Sequence, residues 1–267
     1  MRIALGIEYD GSGFCGWQWQ PNRRSVQSEL EKALSKVANQ PVSVVCAGRT
    51  DAGVHALEQV VHFDVNVMRD CRSWVLGGNA NLPEDVRIAW AKPVEDAFHA
   101  RSSAIARLYR YVILNRPVKS ALMRDQQTWC YRPLDADIMN QAGQHLVGNH
   151  DFSSFRAKGC QSKSPYRQVH FVDVFRNGDK VTIMVCANAF LHHMVRNIAG
   201  VLMEVGFRKH PVDWPSELLM LKNREVGGVT APPTGLYLEA VYYPACYGIS
   251  KHPAFDKLPE DAKRFGA

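Results

Sequence analysis

The chain has 267 residues, roughly 1.8 times a typical domain of about 150, so one large domain or two modest ones fit, each able to bury a core. A hydrophobic share of 46% with 22% charged residues argues against disordered, collagen-like and low-complexity chains. Thirty-two Lys and Arg against 26 Asp and Glu leave a formal charge of +6, which permits a polyanionic partner without requiring one.

In chain order, residues 2–9 alternate as a strand and run into the turn signal Asp10-Gly11-Ser12-Gly13. A polar loop carrying Trp17, Trp19, Arg23 and Arg24 follows. Val26, Leu30, Ala33, Leu34 and Val37 then share one face of a helix that Ser25 is placed to cap. Strands are expected at 42–46 and 59–65, joined by a glycine-containing connection, 48–56, that is longer than a tight hairpin needs. A helix over 70–80 and a strand over 86–94 complete the order β-α-β-β-α-β.

The second half repeats that order without repeating the sequence. A strand over 107–114 precedes a helix in which Ile138, Ala142 and Leu146 share a face. Strands at 168–175 and 180–187 meet through Asn177-Gly178, the strongest short hairpin signal in the chain. An apolar helix over 190–207, an amphipathic insert near 216–222 and a strand over 236–243 follow. The pattern predicts an α+β protein of two ferredoxin-like (RRM-like) β-α-β-β-α-β domains, helices on one face of each antiparallel sheet. Sheets set side by side would leave one broad concavity for a large ligand. The expected division is 1–103, 104–245 and an aperiodic tail, 246–267.

Seven widely spaced cysteines, with no C-x-x-C and no Cys/His cluster at zinc spacing, read as reduced thiols. The first residues turn acidic before a secretory apolar stretch could form, and no apolar run approaches about 18 residues. A cytoplasmic protein with no membrane partner is expected.

Four segments could carry chemistry. Gly48-Arg49-Thr50-Asp51-Ala52-Gly53-Val54-His55-Ala56 gathers a cation, a hydroxyl, a carboxylate and an imidazole between glycines. That composition suits an active site; it also suits a loop in which Asp51 caps a turn and pairs with Arg49. The run from Tyr9 to Gln18 is rich in glycine but has neither G-x-x-x-x-G-K-[ST] nor G-x-G-x-x-G, so no nucleotide cofactor is read there. Arg101, Arg107, Arg110 and Arg116 lie among Phe98, Tyr109 and Tyr111, and residues 156–167 form a second basic stretch. Such mixtures serve unpaired RNA bases and phosphates, or simply line solvated edges. Arg196 interrupts an apolar helix and, if buried, needs a carboxylate, for which Asp51 is a candidate; a surface-facing Arg196 is the alternative. His192 and His193 are adjacent, so on a helix they would point to different sides, and no metal site is argued.

Together these segments closely resemble the TruA family of tRNA pseudouridine synthases over nearly the whole chain. The carriers are Tyr9-Asp10-Gly11 with Phe14-x-Gly16-Trp17-Gln18-x-Gln20, the residue 48–56 run, Phe98-His99-Ala100-Arg101 and Arg107-x-Tyr109-Arg110-Tyr111. His150-Asp151-Phe152-Ser153-Ser154-Phe155, Met194-Val195-Arg196-Asn197, Thr230-Ala231-Pro232 and Gly235-Leu236 complete the set. The resemblance implies the pseudouridine synthase fold and isomerisation of uridine at positions 38, 39 and 40 of the tRNA anticodon stem-loop, without metal or other cofactor, by a homodimer.

On that resemblance Asp51 is the catalytic nucleophile, attacking C6 of the base or C1′ of the ribose. Tyr109 packs on the target base, and Arg196 is the basic partner that keeps the carboxylate ionised. Arg49 fills the space of the flipped uridine, and Leu236 lines the pocket. Phe98, His99, Ala100, Arg101 and Ser102, with Gly159, Cys160, Gln161, Ser162 and Lys163, match tRNA-contacting stretches, and Arg69 is a further phosphate contact. The rival reading is a non-catalytic tandem RRM-like RNA-binding protein, for which the aromatic RNP signature is missing.

Overall fold

A computed structural model describes residues 1–249, 252–258 and 263. The chain forms two compact units, residues 1–106 with 237–267, and residues 107–236. No helix among the described residues is long and apolar enough to cross a membrane.

The first unit contains β1 (Arg2–Tyr9), α1 (Val26–Ala38), β2 (Val45–Cys46), β3 (His55–Asp64), α2 (Cys71–Asn81) and β4 (Val86–Val94). β1 runs antiparallel to both β3 and β4, and β2 lies antiparallel on β3. Ile3, Ala4, Leu5 and Ile7 have no exposed area and Gly6 is buried, so β1 is covered on both faces over residues 3–7. Ser25 and Ser28 cap α1 reciprocally, and the helix stops at Asn39, whose left-handed φ of 51° ends the hydrogen-bond ladder. Asp70 caps α2 by accepting the Ser73 N–H. α2 packs on the sheet through Trp74 against Phe63, and through Gly78, which has no side chain to collide with Ile88.

The second unit contains β5 (Ala106–Asn115), β6 (Thr128–Cys130), α3 (Ala136–Gln144), β7 (Gly148–Asp151), β8 (Tyr166–Asn177), β9 (Lys180–Ala187), α4 (Met194–Gly206) and α5 (Trp214–Leu221). β9 is antiparallel to β5 and β8, and β7 is antiparallel to β8. Asn177 pairs with Lys180, so the two-residue β8–β9 loop is Gly178-Asp179, one residue beyond the Asn177-Gly178 signal, with Gly178 at φ 58°. β10 (Leu236–Tyr242) then crosses back, and its Tyr237 and Leu238 pair with His55 and Ala56 of β3.

Several sequence expectations need amendment. The sheets are not wholly antiparallel: β10 is parallel to β3 and β6 is parallel to β5. The last strand falls with the first unit because of its pairing with β3, whereas the sequence grouped it with 104–245. The 246–267 stretch is not featureless in its described part. The Tyr247 ring packs on Phe98, Ile249 and Leu258 are buried, and Lys92 donates to the Gly248 carbonyl at 2.7 Å. α3 ends at Gln144, so Leu146 is buried beyond the helix, and Met139 rather than Ile138 carries the buried face. Finally, α4 begins at Met194 and not near Phe190. His193 sits at φ 60°, in the left-handed region, so it and His192 precede the helix with ring centroids 4.0 Å apart instead of facing different sides.

Candidate active site

In the first unit, residues 48–56 are gripped by the chain that follows β1. The Trp17 N–H donates to the Thr50 carbonyl at 3.0 Å, and the Tyr9 hydroxyl meets Thr50 Oγ1 at 2.8 Å in a buried position. At the base of the loop, Gln59 accepts from the Gly48 N–H at 3.3 Å and donates to its carbonyl at 2.6 Å. The Val54 N–H closes a turn onto the Asp51 carbonyl at 3.2 Å. His55 Nδ1 accepts the Gly11 N–H at 3.1 Å, and the ring stacks on Tyr237 at 4.7 Å. The glycines permit this intimacy. A Cβ at Gly11 would lie 2.0 Å from the Val54 carbonyl oxygen; one at Gly16, where φ is +97°, would lie 2.8 Å from that of Thr50. The two glycine-bearing motifs therefore form one interlocked body, with Trp17 and Phe14 buried beneath it.

Asp51 sits half-buried on this body, and Arg49 is exposed beside it in sequence. The Cys46 thiol reads the local charge: burial pushes it up to about 12, with Arg49 and Arg101 both pulling against that rise. Arg49 and Arg101 are thus brought within electrostatic reach of one sulfur atom. Within residues 98–102, Phe98 and Ala100 are fully buried, so His99, Arg101 and Ser102 are the side chains this stretch offers to a ligand. Arg69 lies elsewhere. With Lys36 and Arg72 it lines a groove of about 510 Å³ between α1 and α2, none of whose lining residues belongs to residues 48–56 or 9–18.

In the second unit, Arg196 is half-buried and its Nε donates to the Ala231 carbonyl at 2.8 Å, while the Ala231 N–H returns to the Arg196 carbonyl at 3.1 Å. Next to it Asn197, 1% exposed, donates to the Phe155 carbonyl at 2.6 Å and accepts from Thr230 Oγ1 at 2.6 Å and from Arg224 at 3.0 Å. Three separated motifs, around residues 155, 197 and 230, are knitted together by this one amide. Gly200 lets the strap close, since a Cβ there would meet the Val229 carbonyl oxygen at 1.8 Å. Tyr111 also holds the strap, its hydroxyl donating to the Pro232 carbonyl at 3.0 Å and meeting Thr128 Oγ1 at 2.7 Å. Burial raises the Tyr111 phenol above its ordinary range. Tyr109 is 8% exposed, with Phe190 edge-on at 4.9 Å. Leu236 is buried after Gly235, whose φ of +84° brings its carbonyl to the Val112 N–H at 2.8 Å.

Gly159, Gln161 and Lys163 are exposed, and Cys160 and Ser162 are half-buried. Arg167 holds this stretch by donating to Ser162 Oγ at 2.7 Å and to the Ser164 carbonyl at 3.0 Å. Sequence reasoning assigned no work to Asn197, Arg224, Thr128 or Phe190. Asn197 was findable by the argument applied to Arg196, a polar side chain on an apolar helix face; the others carry no local signal.

A family model described as tRNA pseudouridine synthase matches residues 6–101 and 142–244, leaving Tyr109 outside the matched segments. The chain belongs to the tRNA pseudouridine synthase family. Among its relatives, the protein named tRNA pseudouridine synthase A from Methylococcus capsulatus is 61% identical over 265 residues, 99% of this chain and 98% of the relative. Proteins of the same name from Nitrosococcus oceani and Shewanella denitrificans are 61% and 55% identical, covering 91% and 94% of this chain and 94% and 96% of their own.

Proposed function

We propose that this chain isomerises uridine to pseudouridine at positions 38, 39 and 40 of the tRNA anticodon stem-loop, with Asp51 as nucleophile. The observation that carries this reading is the interlocked loop over residues 48–54, leading into β3 at His55, which holds a half-buried carboxylate on a backbone fixed at Gly48, Thr50 and Val54. A nucleophile must meet its target within a few tenths of an ångström, and such a loop supplies that precision.

The chemistry balances without an external reagent. Asp51 adds to C6 of the base or C1′ of the ribose, and the C1′–N1 bond breaks. The base turns, and C5 bonds to C1′. C5 then loses its proton, N1 gains one, and the carboxylate is regenerated. A stacked uridine must first be everted, at a cost of a few kcal/mol that bound RNA contacts offset. Arg49, exposed and cationic, is the residue proposed to support the everted nucleotide. The roles of Tyr109 on the base, Arg196 as basic partner and Leu236 as pocket wall rest on family resemblance, as do the homodimeric state and cytoplasmic location. Residues 98–102 and 159–163, with Arg69, are the proposed tRNA contacts. Exposed Arg101 and Lys163 suit phosphate binding.

Tritium release from tRNA labelled at uridine C5 tests the assignment. Asp51→Asn keeps the side chain's size and loses its nucleophilic charge, so it should bind tRNA normally and release no tritium. Release at the wild-type rate by that variant refutes the proposal.

A further inference from the structure

The turn at residues 98–102 is organised by imidazole. His62, on β3 and 4% exposed, accepts the Ala100 N–H at Nδ1 over 3.1 Å. His99 Nδ1 accepts two more backbone donors, the Arg101 N–H at 3.2 Å and the Ser102 N–H at 3.1 Å. The two rings lie 4.8 Å apart. His99 is itself tied down, since its N–H donates to Ser103 Oγ at 3.0 Å and its carbonyl accepts the Ser103 N–H at 2.9 Å. On the other side of the turn, Arg2 donates to the carbonyls of Asp96 and Phe98, and the Tyr243 hydroxyl donates to the Ala100 carbonyl at 2.6 Å.

This arrangement separates the turn's side chains. Phe98 and Ala100 are drawn into the core, and Arg101 and Ser102 are left exposed. Three backbone donors end on two ring nitrogens, so each Nδ1 must offer a lone pair and each ring carries its proton on Nε2. Arg2 from β1, Asp64 from β3 and the neighbouring imidazole of His99 face His62; burial first, then Arg2, push its imidazole down to about 4 against the pull of Asp64, which keeps it an acceptor at neutral pH.

We infer that His99, steadied by His62, is a positioning residue for tRNA binding: its Nδ1 fixes the 98–102 turn so that Arg101 and Ser102 meet the RNA backbone already in place. The inference rests on the reading that this stretch contacts tRNA. A pre-ordered turn spares the ordering cost that a loose one would incur at each binding event. Asparagine is the natural substitute, because its Oδ1 accepts the same N–H groups two and three residues ahead in an Asx turn and does not titrate.

The test measures the Kd for an unmodified tRNA transcript and the single-turnover rate at saturating enzyme for His99→Ala, His99→Asn and Arg101→Ala. His99→Ala should weaken binding about tenfold, the order expected from losing one pre-ordered segment, with the saturated rate changed less than about twofold. His99→Asn should restore the wild-type Kd. If Arg101→Ala binds weakly while His99→Ala binds as wild type, the inference alone falls. His99→Asn binding as poorly as His99→Ala, or His99→Ala losing rate at unchanged Kd, also overturns it. If Arg101→Ala and His99→Ala both bind as wild type, the reading of this stretch as a tRNA contact falls, and the inference with it.

Discussion

Residues 48–54 of the first unit and 157–164 of the second are both polar, glycine-containing connections, yet they are built in opposite ways. The first is fixed by main-chain and amide bonds at Gly48, Thr50 and Val54, and approached so closely that Gly11 and Gly16 admit no side chain. The second is tied by the Ala157 N–H to the His192 carbonyl, by a turn bond from the Cys160 N–H to the Ala157 carbonyl, by an exposed Lys158–Glu225 ion pair at 3.5 Å and by the guanidinium of Arg167, and around Gly159 an added Cβ would meet nothing within 4 Å. The difference matches the proposed tasks. A nucleophile has to be placed to tenths of an ångström, whereas a cation near a phosphate works over a range of positions.

The contrast can be broken from its rigid side first. Gly11→Ala drives a methyl group into the Val54 carbonyl, so it should destabilise the first unit by on the order of 3 kcal/mol and depress turnover well over tenfold. Thermal melts and tritium release measure both; wild-type stability and rate would show that the loop is not held as described. Thr50→Val is gentler. It leaves the buried Tyr9 hydroxyl without its Thr50 partner, which should cost about 1–3 kcal/mol in denaturant unfolding and lower the saturated rate more than it weakens tRNA binding. On the permissive side Gly159→Ala has only its backbone to contend with, at φ +79°, a strain of about 1 kcal/mol. Filter binding should register a change in tRNA affinity below about fivefold, with the single-turnover rate at saturation untouched. An effect of Gly159→Ala as large as that of Gly11→Ala would erase the distinction between the loops.

The main elements were legible where local chemistry and tertiary packing agree. Ser25 and the spacing from Val26 to Leu34 specify α1, and the Asn177-Gly178 signal falls one residue short of the Gly178-Asp179 loop between β8 and β9, because each signal acts over a few residues. β6 was not legible. Three residues long, it is held by parallel pairing to β5 and by the bond from Thr128 to Tyr111, partners that no periodicity reveals. The start of α4 was misread because Phe190 and Leu191 are apolar for other reasons: Leu191 is buried before the helix begins, and Phe190 packs on Tyr109. Among the candidate site residues, Asp51 and Arg49 stood out by composition. The imidazoles of His62 and His99 did not, since their importance lies in which backbone groups they satisfy, Ala100 for His62 and Arg101 and Ser102 for His99.

The return of β10 to the first unit has a consequence for how the protein is made. A ribosome delivers β1 to β4 first, then the whole of the second unit, and only afterwards Tyr237 and Leu238, which pair with His55 and Ala56 at the start of β3, the Tyr237 ring stacking on that of His55. Until they emerge, the strand carrying residue 51's loop has a bare edge at its root. The nascent chain therefore cannot close the root of the loop that carries Asp51 until β10 is translated, and a polypeptide released before residue 237 would lack that closure.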